Sequence, residues 1–156
     1  VSGYRRRGAC YLVCYHRPFR HARHYLGFAY PDDPGRADLT VVAEVRGAVQ
    51  TRITCRWLTA EQAAGVACRI AQHRRRCGAR ILAVITEAGI GFDVVRIWPS
   101  ATEHHEKGLK NLANGARLCP RCHPGTRAGD VITPRVTRRR RRPARQLVLA
   151  GAPGQP

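Results

Sequence analysis

Five short groups of residues carry the chemistry open to this chain: Ala9-Cys10-Tyr11, Tyr25-Leu26-Gly27, Arg69 to His73, Glu106, and Leu109-Lys110-Asn111. Hydrolysing a phosphodiester requires a deprotonated water, stabilisation of a doubly charged transition state and neutralisation of the leaving oxygen. Each requirement has a matching side chain. Glu106 is a hard oxygen ligand, and a single Mg²⁺ (or Mn²⁺) is usually bound by only one or two carboxylates, with waters completing its octahedron. Arg69 offers a planar fork that bonds two phosphate oxygens at once. His73, one helical turn later, falls on the same face, placed for positioning or proton transfer. Tyr25 would orient water or phosphate, and Gly27 would let the backbone pass close to a substrate. Arg23, Lys110 and Asn111 are further substrate-binding candidates.

Every one of these residues also has an ordinary use. Tyr11 and Tyr25, on apolar strands, are taken singly core aromatics with a satisfied hydroxyl. Arg69 and His73 run on into Arg74, Arg75 and Arg76, which reads equally as a solvated basic helix face. Glu106 has Glu103 as a competitor, and its spacing to Lys110 is that of a surface i,i+4 pair. Cys119-x-x-Cys122 with His123 is half of a zinc site, because tetrahedral zinc needs four ligands and a matching second pair is missing from the sequence. Cys10 and Cys14 complete it only if the fold brings them close, and their alternate strand positions point to buried packing. Magnesium, rather than zinc, is therefore the expected metal.

These side chains depend on a small set of elements. Ala9 to Tyr15 and His24 to Tyr30 read as two strands. They are joined as an antiparallel hairpin through the basic segment His16 to Arg23, in which Pro18 blocks the ladder. Pro31-Asp32-Asp33-Pro34-Gly35 is a strong turn. Val41 to Cys55, with β-branched residues on both sides of Gly47, predicts a second hairpin. Thr59 and Gln62 form a capping box for a helix over Ala60 to about Arg75. Arg80 to Ala88 is apolar and fits helix or strand. Phe92 to Trp98 reads as a strand, and Ser100 with Glu103 caps a helix from Ala101 to about Leu112. The expected fold is α/β in the α+β sense: a small antiparallel three-stranded sheet flanked by helices, with an inserted β-hairpin and a disordered basic tail.

Twenty-eight Lys and Arg stand against ten Asp and Glu, a formal charge of +18, which draws polyanions at long range and makes nucleic acid the leading partner. Nearly all of this is Arg, with lysine only at Lys107 and Lys110. Seven cysteines, an odd number, fit reduced thiols in the cytoplasm better than a disulfide framework. No apolar stretch approaches the roughly 20 residues that cross a bilayer, so a membrane is not expected as partner. Residues 1–8 form a basic lead, 9–123 one domain in which 31–58 is an insertion, and 124–156 an Arg/Pro/Gly-rich tail. Such a tail lacks the apolar surface to fold and would add affinity for phosphates without reading bases.

In their order along the chain, the five groups resemble the GIY-YIG endonuclease family. That family opens with strands bearing Gly-Ile-Tyr and Tyr-Ile-Gly, then carries Arg and often His on a helix, and a metal-binding Glu on a later helix. The likeness is closest to small bacterial members, in which a His/Arg-rich loop leads into His24-Tyr25-Leu26-Gly27 and a Glu precedes Leu109-Lys110-Asn111 and Cys119-Pro120-Arg121-Cys122. It covers about residues 9 to 123. The resemblance implies a Mg²⁺-dependent DNA endonuclease in which Tyr11, acidified by nearby positive charge, takes the proton from the attacking water and Glu106 holds the metal. Ala9 and Cys10 replace the family's Gly and Ile. The span from Gly27 to Arg69 is longer than the family's linker, so Arg52 or Arg56 stands as an alternative phosphate ligand. A non-catalytic nucleic-acid binder derived from such a nuclease is the alternative function.

Overall fold

The structure, a computed structural model, describes residues 7–50, 58–112 and 115–123. The expected tail over 124–156, most of the basic lead, and Arg52 and Arg56 lie outside the described residues.

Strand β1 (Gly8–Phe19) is central, paired antiparallel with β2 (Ala22–Ala29) on one side and β3 (Phe92–Ala101) on the other. Every residue from Ala9 to Tyr15 is 1% exposed or less, because helices cover both faces of this strand. That is why its sequence is a continuous apolar run rather than an alternating one. Ala9, Tyr11, Val13 and Tyr15 point to one face, where they meet α1 (Leu39–Gln50), α2 (Ala60–Arg74) and α3 (Arg80–Glu87) through Val45, Val66, Ile70, Leu82 and Ile85. Cys10, Leu12 and Cys14 point to the other face. There they pack with Trp98, with Leu109 of α4 (Glu103–Asn111), and with Leu118 of α5 (Gly115–Leu118). The α+β fold with a three-stranded antiparallel sheet and flanking helices is the one the sequence predicts.

Pro18 does not end the first strand. The ladder of β1 with β2 is irregular between Cys14 and Phe19, so a residue without an N–H is accommodated there, and pairing resumes at Phe19 with Ala22. The turn closes through Arg20, whose φ is 53°.

The second hairpin expected from Val41 to Cys55 is corrected by the structure: residues 39–50 form α1, while 51–55 lie outside the described residues. Asp38 starts this helix by accepting the Thr40 amide on its side chain at 2.9 Å. Val41 and Val45, one helical turn apart, bury 8% and 1% exposed faces against the core. The β-branched residues are thus used at helical spacing, where burial outweighs their modest helix propensity.

The capping box at α2 forms as expected, with the Gln62 amide donating to Thr59 Oγ1 at 3.2 Å. The one at α4 is shifted. Thr102, not Ser100, is the cap, and its reciprocal partner is His105 rather than Glu103. Ser100 lies at the end of β3 with φ at 53°. Arg80 to Glu87 resolves as helix α3. A Cβ on Gly65 of α2 would stand 1.9 Å from the Tyr30 carbonyl oxygen, so glycine is what lets this helix lie against the chain leaving β2.

Candidate active site and metal-ligand cluster

Among the described residues β2 is an edge strand with no further strand beside it, and a cleft of 460 Å³ runs along it between α2 and α4. Tyr25 of β2, Arg69 and Gln72 of α2, and Glu103 and Glu106 of α4 line it, together with Asp32. Gly65, Arg69 and Gln72 follow one another at helical spacing, so α2 turns a single stripe to the cleft. The lining is not the uniformly basic one that the overall charge suggests: three carboxylates face one guanidinium. Arg69 Nη1 donates to Gln72 Oε1 at 2.8 Å, which orients its fork along the helix.

Tyr11 lies behind this cleft rather than in it. It is wholly buried, with its ring 6.4 Å from that of Tyr25, and His73 sits edge-on to Tyr25 at 5.5 Å. His73 Nδ1 accepts the Ala79 amide at 3.1 Å, so the neutral ring carries its proton on Nε2 and donates it to the Tyr11 oxygen at 2.7 Å. Burial, and next the Arg69 charge, pushes the His73 pKa down to about 4, which keeps the ring neutral. The acidified Tyr11 expected from basic surroundings is corrected. Burial raises the phenol above its ordinary range, Tyr25 adds to the rise, and Arg69 pulls the other way without overcoming them.

Gly27 is the cross-strand partner of Tyr11, and a Cβ there would stand 2.5 Å from the phenol oxygen. Its small size therefore admits Tyr11, not a substrate. Glu106 has only 18% of its side chain exposed and meets Lys110 Nζ at 2.7 Å across one helical turn, the ordinary pairing its spacing allows, while also lining the cleft. Glu103, the competing carboxylate, accepts the Tyr30 hydroxyl. Arg23 and Asn111 are exposed, and neither lines the cleft; nor does Lys110. The structure thus brings Tyr25, Arg69 and Glu106 together, backs them with Tyr11 and His73, and leaves Arg23 and Asn111 apart.

A second grouping lies on the face of the same hairpin that α4 and α5 cover. Cys14 and His24 are cross-strand partners, and they meet Cys119 and Cys122 with all four ligand atoms within 4.8 Å of one another. Among the described residues this is the only group of three or more His, Cys, Asp or Glu side chains placed to hold a metal ion. Three thiols and an imidazole favour zinc over magnesium. The expectation that the Cys119–Cys122 pair lacks partners is thereby corrected: Cys14 does join it, whereas Cys10 packs in the core. His24 was not foreseen as a ligand. Counting from the turn does not pair the two, since Cys14 lies five residues before Phe19 and His24 two after Ala22; the irregularity between Cys14 and Phe19 is what sets them opposite each other. Burial, then Arg23, lowers the His24 pKa, and burial, then Cys119, pushes the Cys14 thiol up to about 12.

Comparison of the chain with protein-family models, with curated proteins and with solved structures gives no match. Among the described residues no helix is long and apolar enough to cross a membrane.

Proposed function

We propose that the chain is a metal-dependent endonuclease hydrolysing phosphodiester bonds, on DNA, by a single-metal mechanism of the GIY-YIG type. The observation that carries this reading is the convergence of Tyr25, Arg69 and Glu106 on one cleft from a strand and two helices far apart in sequence. The formal charge of +18 supports a polyanionic partner.

The donor set suits a hard cation: Glu106 offers a carboxylate at the cleft wall, with Glu103 one turn earlier. Mg²⁺ or Mn²⁺, when bound, supplies positive charge against that building on the phosphate and the departing oxygen. Arg69 bonds the non-bridging phosphate oxygens through its fork, already turned along the helix by Gln72. Tyr25 orients the attacking water through its hydroxyl. Tyr11, buried behind the cleft with its oxygen accepting from His73, backs Tyr25, and the neutral His73 fixes its position. The raised pKa of Tyr11 keeps its phenol protonated, so it serves as a hydrogen-bonding group and not as the base toward water.

Nicking of supercoiled plasmid with and without Mg²⁺, comparing the native chain with Glu106→Ala, tests the reading. Mg²⁺-dependent nicking lost by 100-fold or roughly that in the variant is expected. Equal cleavage by both would remove Glu106 from the site. Cleavage by neither, with DNA still bound, would favour a non-catalytic binder, the reading that the burial of Tyr11 and the Glu106–Lys110 pair favour.

A further inference from the structure

We propose that Cys14, His24, Cys119 and Cys122 bind one zinc ion in a closed structural site, on the face of the sheet that α4 and α5 cover. The proposal stands independently of the nuclease reading.

Four ligands fill a tetrahedral shell and leave no position for a substrate, which is the pattern of structural rather than catalytic zinc. Thiolates and imidazole also discriminate against hard cations such as Mg²⁺ and Ca²⁺. Spacing agrees with the chemistry. A tetrahedral shell with zinc–sulfur bonds of about 2.3 Å has sulfur–sulfur edges of about 3.8 Å, and Cys14 Sγ lies 3.9 Å from Cys122 Sγ. A disulfide would bring them to about 2.05 Å. A second observation comes from His24, whose Nε2 is buried without a hydrogen-bond partner. A buried polar nitrogen left in that state is costly, and a metal bond satisfies it.

The ligands are held in place by the protein itself. Cys14 and His24 face each other across the β1–β2 ladder. The Cys119–Cys122 turn is closed by the His123 amide donating to the Cys119 carbonyl at 2.8 Å. Two arginine contacts pin this turn over the sheet. The buried Arg96 of β3 donates to the Leu118 carbonyl at 3.3 Å, just before Cys119. Arg121 donates to Asp93 at 2.8 Å, and Asp93 is the β3 partner of Cys14. Gly115 lets α5 approach the imidazole, since a Cβ there would stand 2.9 Å from His24 Cβ. The ion therefore closes a loop of chain that runs from the hairpin through α4 and back, tying Glu106's helix to the strands that carry Tyr11 and Tyr25.

Elemental analysis of the full chain, purified without added chelator, tests the site. About one zinc per chain is expected in the native protein and in Cys77→Ser, which alters an exposed cysteine outside the cluster. Cys119→Ser and Cys122→Ser should each retain less than about a tenth of that. Cobalt(II) exchanged into the native protein guards against variants that merely fail to fold: it should give thiolate-to-metal charge-transfer bands and the intense visible bands of tetrahedral cobalt. Chelation of the native chain should lower its Tm by roughly 10 °C or more, because binding free energy is folding free energy here. A native chain holding neither zinc nor tetrahedral cobalt overturns the proposal, as does iron in place of zinc or full zinc retention in both serine variants.

Discussion

His73 bridges two elements through its ring: Nε2 donates to the Tyr11 oxygen of β1 at 2.7 Å, while Nδ1 accepts the Ala79 amide ahead of α3 at 3.1 Å. The first bond is buried and the second part-buried, so stranding the Tyr11–His73 partners is the costlier loss. Tyr11→Phe leaves the Nε2 proton unpaired and should cost about 1–3 kcal/mol. His73→Phe strands both the amide and the phenol and should cost more. Urea denaturation of the two single variants and the double variant measures the coupling, expected at roughly 0.5–3 kcal/mol. Strict additivity would mean that the bond contributes nothing.

The same residue sets an acid limit on stability. With a folded pKa of about 4 against an ordinary 6.5, His73 stays neutral in the native state while the unfolded chain takes up a proton. The unfolded state then binds more protons, so stability falls with falling pH. The loss begins near pH 6.5 and is complete near pH 4, amounting to as much as about 3 kcal/mol. His24, also lowered, contributes with the same sign in the metal-free chain. Asp93, pushed up by burial but held down on balance by Arg121 and His16, adds its loss at lower pH, below the ordinary carboxylate value of 3.8. Urea midpoints recorded between pH 7 and pH 4.5 should therefore slope in the native chain and flatten in His73→Gln. A parallel slope in both would assign the acid sensitivity elsewhere.

How much of this was legible beforehand divides along physical lines. Strand β1 was readable because seven consecutive buried residues, rich in Tyr, Val and Cys, leave the apolar run of a strand covered on both faces. The α2 cap was readable because Thr59 and Gln62 bond locally. Helix α1 was not, since Val41 and Val45 are β-formers by propensity, and only their burial against α2 makes the helical spacing win. The cleft was half legible. Residue types named Tyr25, Arg69 and Glu106, but the burial of Tyr11 and the use of Gly27 to admit its phenol depend on cross-strand register. The Cys–His cluster needed that register too, because two of its ligands come from a hairpin and two from a turn about a hundred residues later.

Two glycines give opposite expectations for one substitution. Gly65→Ala forces a methyl to within 1.9 Å of the Tyr30 carbonyl oxygen, a backbone atom that cannot step aside. Helix α2 must then move off β2, at a cost of roughly 1–3 kcal/mol, and Arg69 moves with it. In Gly47→Ala, at an exposed position of α1, the added methyl meets nothing within 4 Å. It should stabilise by about 0.5–1 kcal/mol through the restricted unfolded chain. Thermal melts of the two variants check both signs, and a neutral Gly65→Ala would mean that α2 is not seated as tightly as its distance to Tyr30 implies.

Glu106 cannot serve a cation and Lys110 equally, and their 2.7 Å contact sets up a competition that can be measured. The ion pair stabilises the carboxylate in its metal-free form, and the ammonium also repels an incoming dication. An i,i+4 pair with half of the lysine side chain in solvent has modest strength, so the effect is bounded. On the nuclease reading, Lys110→Met should lower the Mg²⁺ concentration giving half-maximal nicking by roughly two- to five-fold, with the maximal rate preserved. If Lys110 instead contacts the phosphates of the substrate, the same substitution raises KM for DNA and leaves the metal midpoint where it was. Magnesium titrations at saturating and at limiting plasmid separate the two outcomes. Glu106→Gln provides the reference, since it removes the metal-binding charge but keeps a side chain of the same size, and there no magnesium concentration should restore cleavage. An unchanged or raised midpoint in Lys110→Met would show that Glu106 does not exchange this lysine for a metal ion.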